Sequence, residues 1–338
     1  MKIITPEAQR LYTVQLYSST IMNQTHNSGL DCDSKADFQF YLFPVVYCLV
    51  MVLGLPGNLG ALWFFFFKRK QRTASDVFII NLAVADTAFL CTLPFRIHYH
   101  WQHNVWKLGK PTCVLSGIVF HANIYASLVF MTCICVDRYV ATVHPLVYLR
   151  LRNTRCTMAV SAAVWLVYAV TTLAFVLAGF PESQEDRCFE SFSQEEWDKR
   201  LGAYSTFCLV FGSLLPSVVI LVCYPLVARR ITHIRTSTAG KARRIIYAIL
   251  AITLLCFLPY HMVHLLHLLR RMHYIQNCAL ADAIYKARRV TMALVSLNSC
   301  LDPLLYYFST NHCKWSMPRL RWLQPRRTRG VYYIGSDF

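Results

Sequence analysis

Seven mostly apolar stretches of about twenty residues each run through this 338-residue chain. They fall near residues 40–67, 77–98, 113–141, 158–180, 203–227, 245–269 and 290–308. A bilayer offers roughly 30 Å of hydrocarbon, which about twenty helical residues cross. Backbone N–H and C=O groups in that medium must be satisfied within the segment, so each stretch is expected to be a helix. The linkers are too short for a separate soluble domain, and no repeat of fixed period is present. The expected fold is an all-α membrane protein, a seven-transmembrane helix bundle with a short amphipathic C-terminal helix. Residues 1–38 form an N-terminal segment, 39–309 the bundle and 310–338 a tail. In the tail, Trp315, Leu320 and Trp322 oppose Lys314, Arg319 and Arg321, with Pro318 breaking the run.

Composition agrees with a lipid solvent. The chain is 56% hydrophobic and only 15% charged, against about 25% charged in an average soluble domain. A net charge of +17 would favour nucleic acid in a soluble protein. Here the bases concentrate between and beyond the apolar runs, so no nucleic-acid partner is expected. They occupy alternate linkers: Lys68, Arg69, Lys70 and Arg72; Arg150, Arg152 and Arg155; Arg229 to Arg244; and Arg319 to Arg329. The other side carries Asp31, Asp33 and Asp37, then Glu182, Glu185, Asp186, Glu190, Glu195 and Glu196. Cytoplasmic loops collect Lys and Arg, so the N-terminus is expected outside and the C-terminus inside. Residues 1–6 lack a cleaved-signal layout, leaving the first span as the membrane address. Asn23, in Asn23-Gln24-Thr25, is an expected glycosylation acceptor on the outer side.

Fourteen cysteines are present, most of them inside the apolar runs, where a thiol is a small apolar side chain. Cys32, Cys113, Cys188 and Cys278 fall in the outer regions, where disulfides persist. The pairing expected is Cys113 with Cys188 and Cys32 with Cys278. Free thiols or a crossed pairing remain open, since sequence alone does not fix connectivity.

Several motifs carry a resemblance together. They are Gly57-Asn58, Asn81-Leu82-Ala83-Val84-Ala85-Asp86, Trp106, Cys113, Asp137-Arg138-Tyr139, Trp165, Pro216 with Tyr224, Cys256-Phe257-Leu258-Pro259 and Asp302-Pro303-Leu304-Leu305-Tyr306. In this order the chain resembles the rhodopsin-like (class A) G-protein-coupled receptors, over residues 40–322. Phe257 and Asp302, where many members carry Trp and Asn, look like the purinergic-cluster branch. Leu93-Pro94-Phe95-Arg96-Ile97, Arg187-Cys188-Phe189-Glu190-Ser191-Phe192 and Leu268-Leu269-Arg270-Arg271 are most similar to the non-Edg lysophosphatidic acid receptors. The resemblance implies a non-enzymatic plasma-membrane receptor, with a lysophospholipid ligand outside and a heterotrimeric G protein inside.

The ionisable residues acquire roles within that frame. Asp86 is a carboxylate in mid-span, which is expensive unless it faces the bundle interior. With Asn123, Ser127, Asn298 and Asp302 it supplies oxygen ligands, and the resemblance implies an allosteric sodium ion there; a hydrated network with one protonated carboxyl is the alternative. No other cofactor is expected. Asp137, Arg138, Tyr139 and Leu146 are the expected G-protein coupling residues. Residues 237–245 contain no acid, so Arg138 is expected to lack a second clamp from the sixth span. The candidate ligand-binding residues are Lys35, Arg96, His100, His121, His264, Arg271, Arg288 and Arg289. A phosphate needs several charge-assisted hydrogen bonds, which Arg supplies in a planar fork. Lys286 and Arg270 read instead as cations snorkelling at helix ends or bridging the outer-loop acids. Apolar Leu173, Phe175, Val176, Leu177, Phe207, Leu209, Val210 and Phe211 favour an acyl chain over a nucleotide, the alternative ligand of the same fold. A multi-helix transporter is the alternative of a different class, but paired broken helices and internal repeats are not found. The seventh span contains no lysine for a retinal link.

Overall fold

Helix-starting and helix-breaking residues divide the chain into seven helical columns, and among the described residues all regular structure is helical. The computed structural model describes residues 36–70, 73–144, 146–148, 154–177, 187–188, 194–231 and 237–310, with backbone only at 194, 228, 231, 237–243 and 307–310. Column α1 is Gln39–Trp63, continued by a widened turn at Phe64–Lys68. Column α2 is Ala74–Trp101. Thr73 starts it: its backbone N–H donates to Asp76 Oδ2 at 2.7 Å, and its hydroxyl accepts from the Asp76 N–H at 3.4 Å. That reciprocal box satisfies two orphan donors of the first turn.

Column α3, Lys110–Val143, follows Gly109, whose φ of 81° suits a residue without Cβ. Its 34 residues rise roughly 51 Å, more than the roughly 30 Å of hydrocarbon in a bilayer. Column α4 is Thr154–Leu177, with only Thr157 and Ser161 buried. Column α5 is assembled from Gln194–Glu196, Trp197–Leu201, Gly202–Leu209, Val210–Leu214 and Leu215–Ile231. Column α6 joins Ser237–Ile252, Thr253–Phe257 and Leu258–Arg271. Column α7 joins Cys278–Ser296, Asn298–Leu301 and Pro303–Thr310.

Six columns are long and apolar enough to cross a membrane. The seventh begins well before the expected 290–308. Its opening turns carry Asp282, Lys286, Arg288 and Arg289, which keep that stretch out of any apolar window. The expected C-terminal amphipathic helix, Asn23, Cys32 and Lys35 lie outside the described residues.

The columns close into a ring: α1 packs on α2, α2 on α3 and α4, α3 on α4 and α5, α5 on α6, α6 on α7 and α7 on α1. The shared core includes Phe43, Leu82, Leu90, Phe120, Phe130, Ile249 and Phe257. Gly57 sets how closely α1 and α7 approach, since a Cβ there would sit 2.7 Å from the Pro303 ring. Next to it, Asn58 Nδ2 donates to the Ser299 carbonyl at 2.8 Å. Across the bundle, Trp165 Nε1 donates to Asn81 Oδ1 at 2.8 Å and ties α4 to α2. One end of the bundle carries the disulfide, the other carries Arg138.

Candidate functional site

At the disulfide end, Cys113 and Cys188 are bonded, as expected, with Cα atoms 5.9 Å apart. Tyr99 and Trp106 pack against the bridge. Cys278 is also disulfide-bonded; the expected partner, Cys32, is outside the described residues.

Beneath this cap lie four arginines, Arg96 and Arg289 buried and Arg271 and Arg288 half-buried. Arg96 is 2% exposed, donates from Nη2 to the Ser116 carbonyl at 3.0 Å, and stacks its guanidinium 4.2 Å from the Phe120 ring centroid. Arg289 donates to the Tyr285 hydroxyl at 2.8 Å. Arg288 donates to His267 Nε2 at 2.6 Å. Arg271 lies over the Trp197 ring at 5.3 Å. Three carboxylates of this end are engaged elsewhere. Asp282 pairs with Lys286 at 2.7 Å, and Glu195 and Glu196 pair with Lys199 and Arg200. These pairs neutralise Lys199, Arg200 and Lys286 at the rim. Lys286 pairs within α7, with Asp282 rather than an outer-loop acid, and Arg270 donates to the Ala281 carbonyl at 3.4 Å.

The histidines divide into two kinds. His100 is held in place: its ring stacks on Phe43 at 4.3 Å and its Nδ1 donates to Asn104 Oδ1 at 2.8 Å. His121 donates from Nδ1 to the Gly117 carbonyl at 2.9 Å. His264 stacks on Tyr260 at 5.8 Å, and neither of its nitrogens has a hydrogen-bond partner. His261, absent from the sequence-derived candidates, is in the same condition and stacks on Tyr125 at 5.9 Å. The signal that could have found it is the three-residue recurrence of His261, His264 and His267 in α6.

In mid-bundle, Asp86 is fully buried. Its Oδ1 accepts from Asn123 Nδ2 at 2.7 Å and from the Ser299 hydroxyl at 2.8 Å. The Tyr306 hydroxyl donates to Asn58 Oδ1 at 2.9 Å and lies 3.4 Å from Asp86 Oδ2. Ser127 Oγ is 3.4 Å from Asn123 Nδ2. Asn298 is fully buried with Nδ2 unpartnered, and among the described residues no donor reaches either oxygen of buried Asp302. Two carboxylates with amide and hydroxyl oxygens make an oxygen-rich donor set that fits a hard cation. Ser299 belongs to this group as well.

At the opposite end, Asp137 pairs with Arg138 at 3.0 Å. The buried Ser75 hydroxyl donates to Asp137 and accepts from Arg138, so α2 grips the pair. Nothing in the residue pattern marks Ser75 for this part. Tyr139 packs beside Val227 and Ile246 of α5 and α6, and Leu146 is 76% exposed.

Comparison with known proteins agrees with this layout. Residues 57–306 match the family model described as 7 transmembrane receptor (rhodopsin family). The chain is 33% identical to purinoceptor 1 of Meleagris gallopavo, over 89% of this chain and 86% of that protein. It is 34% identical to Lysophosphatidic acid receptor 4 of Mus musculus, over 85% and 79%. It is 32% identical to G-protein coupled receptor 68 of Mus musculus, over 88% and 81%. The chain belongs to the rhodopsin family of seven-transmembrane receptors, within its purinergic cluster, and is a multi-pass G-protein-coupled receptor.

Proposed function

We propose that this receptor sits in the plasma membrane with its disulfide end outside. It binds lysophosphatidic acid or a related lysophospholipid there, and transmits binding to a heterotrimeric G protein at the Arg138 end. The observation that carries this reading is Arg96. Arg96 is 2% exposed, and it is held by the Phe120 ring face and the Ser116 carbonyl, with the Tyr47 hydroxyl beside it. An ionised group at that depth is expensive and marks a binding path. Arg289, with Arg288 and Arg271 nearby, gives a phosphate several forks to choose among. The similarity to a lysophosphatidic acid receptor supports the lipid headgroup, and the similarity to a purinoceptor keeps nucleotides in the test panel.

The experiment is a ligand panel on cells expressing the chain, read by dissociation of each G-protein class. Lysophosphatidic acid should signal, and Arg96→Ala should weaken it more than about tenfold, since one charge-assisted bond contributes roughly 1.5–3 kcal/mol. A nucleotide response without a lysolipid response would overturn the ligand and leave the receptor class intact.

The same reading assigns a sodium ion to Asp86, Asn123, Ser127, Asn298 and Asp302, where it would neutralise part of the buried charge and favour the resting state. Asp86→Asn should make agonist affinity insensitive to sodium. Equal sodium dependence in both proteins would leave the shared-proton alternative.

A further inference from the structure

Three histidines of α6, among them the ligand candidate His264, form a strip beside the arginines. His261, His264 and His267 recur every third residue. Each step falls about 60° short of a full turn, so the three share a stripe roughly 120° wide and about 9 Å long. All three are nearly inaccessible, at 4%, 5% and 3% exposure. Five of their six ring nitrogens have no hydrogen-bond partner. The sixth, His267 Nε2, accepts from Arg288 at 2.6 Å. The proton of neutral His267 therefore sits on Nδ1, an unpartnered donor.

The surroundings are graded along the helix. At the disulfide end are Arg271 and the Arg288–His267 pair, with Trp197 edge-on to His267 at 5.4 Å. His121, Arg288 and His261 lie within electrostatic reach of His264. Deeper, His264 lies nearly parallel to Tyr260, and His261 lies between Tyr125 and Phe257 at 5.9 and 6.2 Å. Cation, then imidazole, then aromatic floor is the order of an anionic amphiphile with a polar linker. Among the described residues no group of three His, Cys, Asp or Glu side chains is arranged for a metal.

We propose that His261, His264 and His267 bind the uncharged linker of the ligand, the free hydroxyl and ester carbonyl of a monoacyl glycerol phosphate. The inference rests on the lysophospholipid reading above and narrows it to a ligand class. A neutral imidazole offers one donor and one acceptor. A hydroxyl matches both and a carbonyl matches the donor. A phosphate dianion only accepts, and would set its lone pairs against the acceptor nitrogens of His261 and His264, while His267 has only its Nδ1 donor left. The phosphate therefore goes to the arginines, and the linker lies along the strip. A ligand hydroxyl or carbonyl would supply the hydrogen bonds that five of the six ring nitrogens lack.

The test compares 1-oleoyl lysophosphatidic acid with oleyl phosphate, which keeps the phosphate and an eighteen-carbon chain but lacks the hydroxyl and ester. On the wild-type chain the first should be at least about tenfold more potent, because a site built to hydrogen-bond a hydroxyl rejects an analogue without it. His264→Phe and His261→Phe keep the ring stacking and remove the nitrogens. They should collapse the preference, with the potency of lysophosphatidic acid falling toward that of oleyl phosphate. His264→Gln restores a donor and an acceptor and should retain part of the preference. Equal potency of the two lipids on the wild type, or an equal loss for both in the Phe variants, overturns the linker assignment while the lysophospholipid reading stands. Silence to both lipids removes that reading and this one with it.

Discussion

At the scale of single residues, the resting state depends on small groups as well as charged ones. The Asp137–Arg138 pair is held from α2 by the Ser75 hydroxyl, while residues 237–245 of α6 supply no acid. A hydrogen bond to charged partners contributes roughly 1.5–3 kcal/mol, and the part of it specific to the resting state shifts the equilibrium severalfold. Ser75→Ala is therefore expected to raise ligand-independent G-protein signalling severalfold at equal surface expression; unchanged basal signalling would deny Ser75 that role. Asp86 and Arg96 are legible in the sequence because an ionisable group inside an apolar run is costly wherever it lies. Ser75 and His261 are not, because a serine near a helix start or a histidine in an apolar helix is unremarkable until its neighbours are known. His100 shows the opposite limit. Its residue type suits a ligand contact, yet its Nδ1 is engaged by Asn104.

At the scale of elements, hydropathy locates six columns and only the second half of the seventh. The first half of α7 turns Arg288 and Arg289 toward protein partners, His267 and Tyr285. Charges that belong to the site therefore hide the helix that bears them. The widened turns at Phe64–Lys68, Val210–Leu214 and Thr253–Phe257 have no reliable mark in residue type, since one extra residue in a turn is set by packing against neighbours. Close approach is more readable. Gly57 next to Asn58 marks where Pro303 of α7 meets α1. Gly57→Leu forces a side chain into that contact, and overpacking typically costs about 1–3 kcal/mol. The thermal midpoint of the purified receptor should fall by several degrees, with Gly60→Leu, which meets open space, as the control that stays unchanged.

At the scale of the whole molecule, chemistry is sorted along the bundle axis. Buried cations lie under a disulfide-bonded cap, paired carboxylates sit in mid-bundle, and an arginine clamp closes the other end. The overall fold is legible in the sequence because lipid imposes length, apolarity and internal hydrogen bonding on every span. The ligand is less legible, because a basic mouth suits any phosphate and the distinction lies in which side chains share a wall. The most direct measurement is equilibrium binding of labelled lysophosphatidic acid to the purified receptor in lipid nanodiscs, for the wild type, Arg96→Ala and His100→Ala. The account predicts saturable binding weakened more than about tenfold by Arg96→Ala and far less by His100→Ala. Saturable binding that Arg96→Ala leaves unchanged would contradict it.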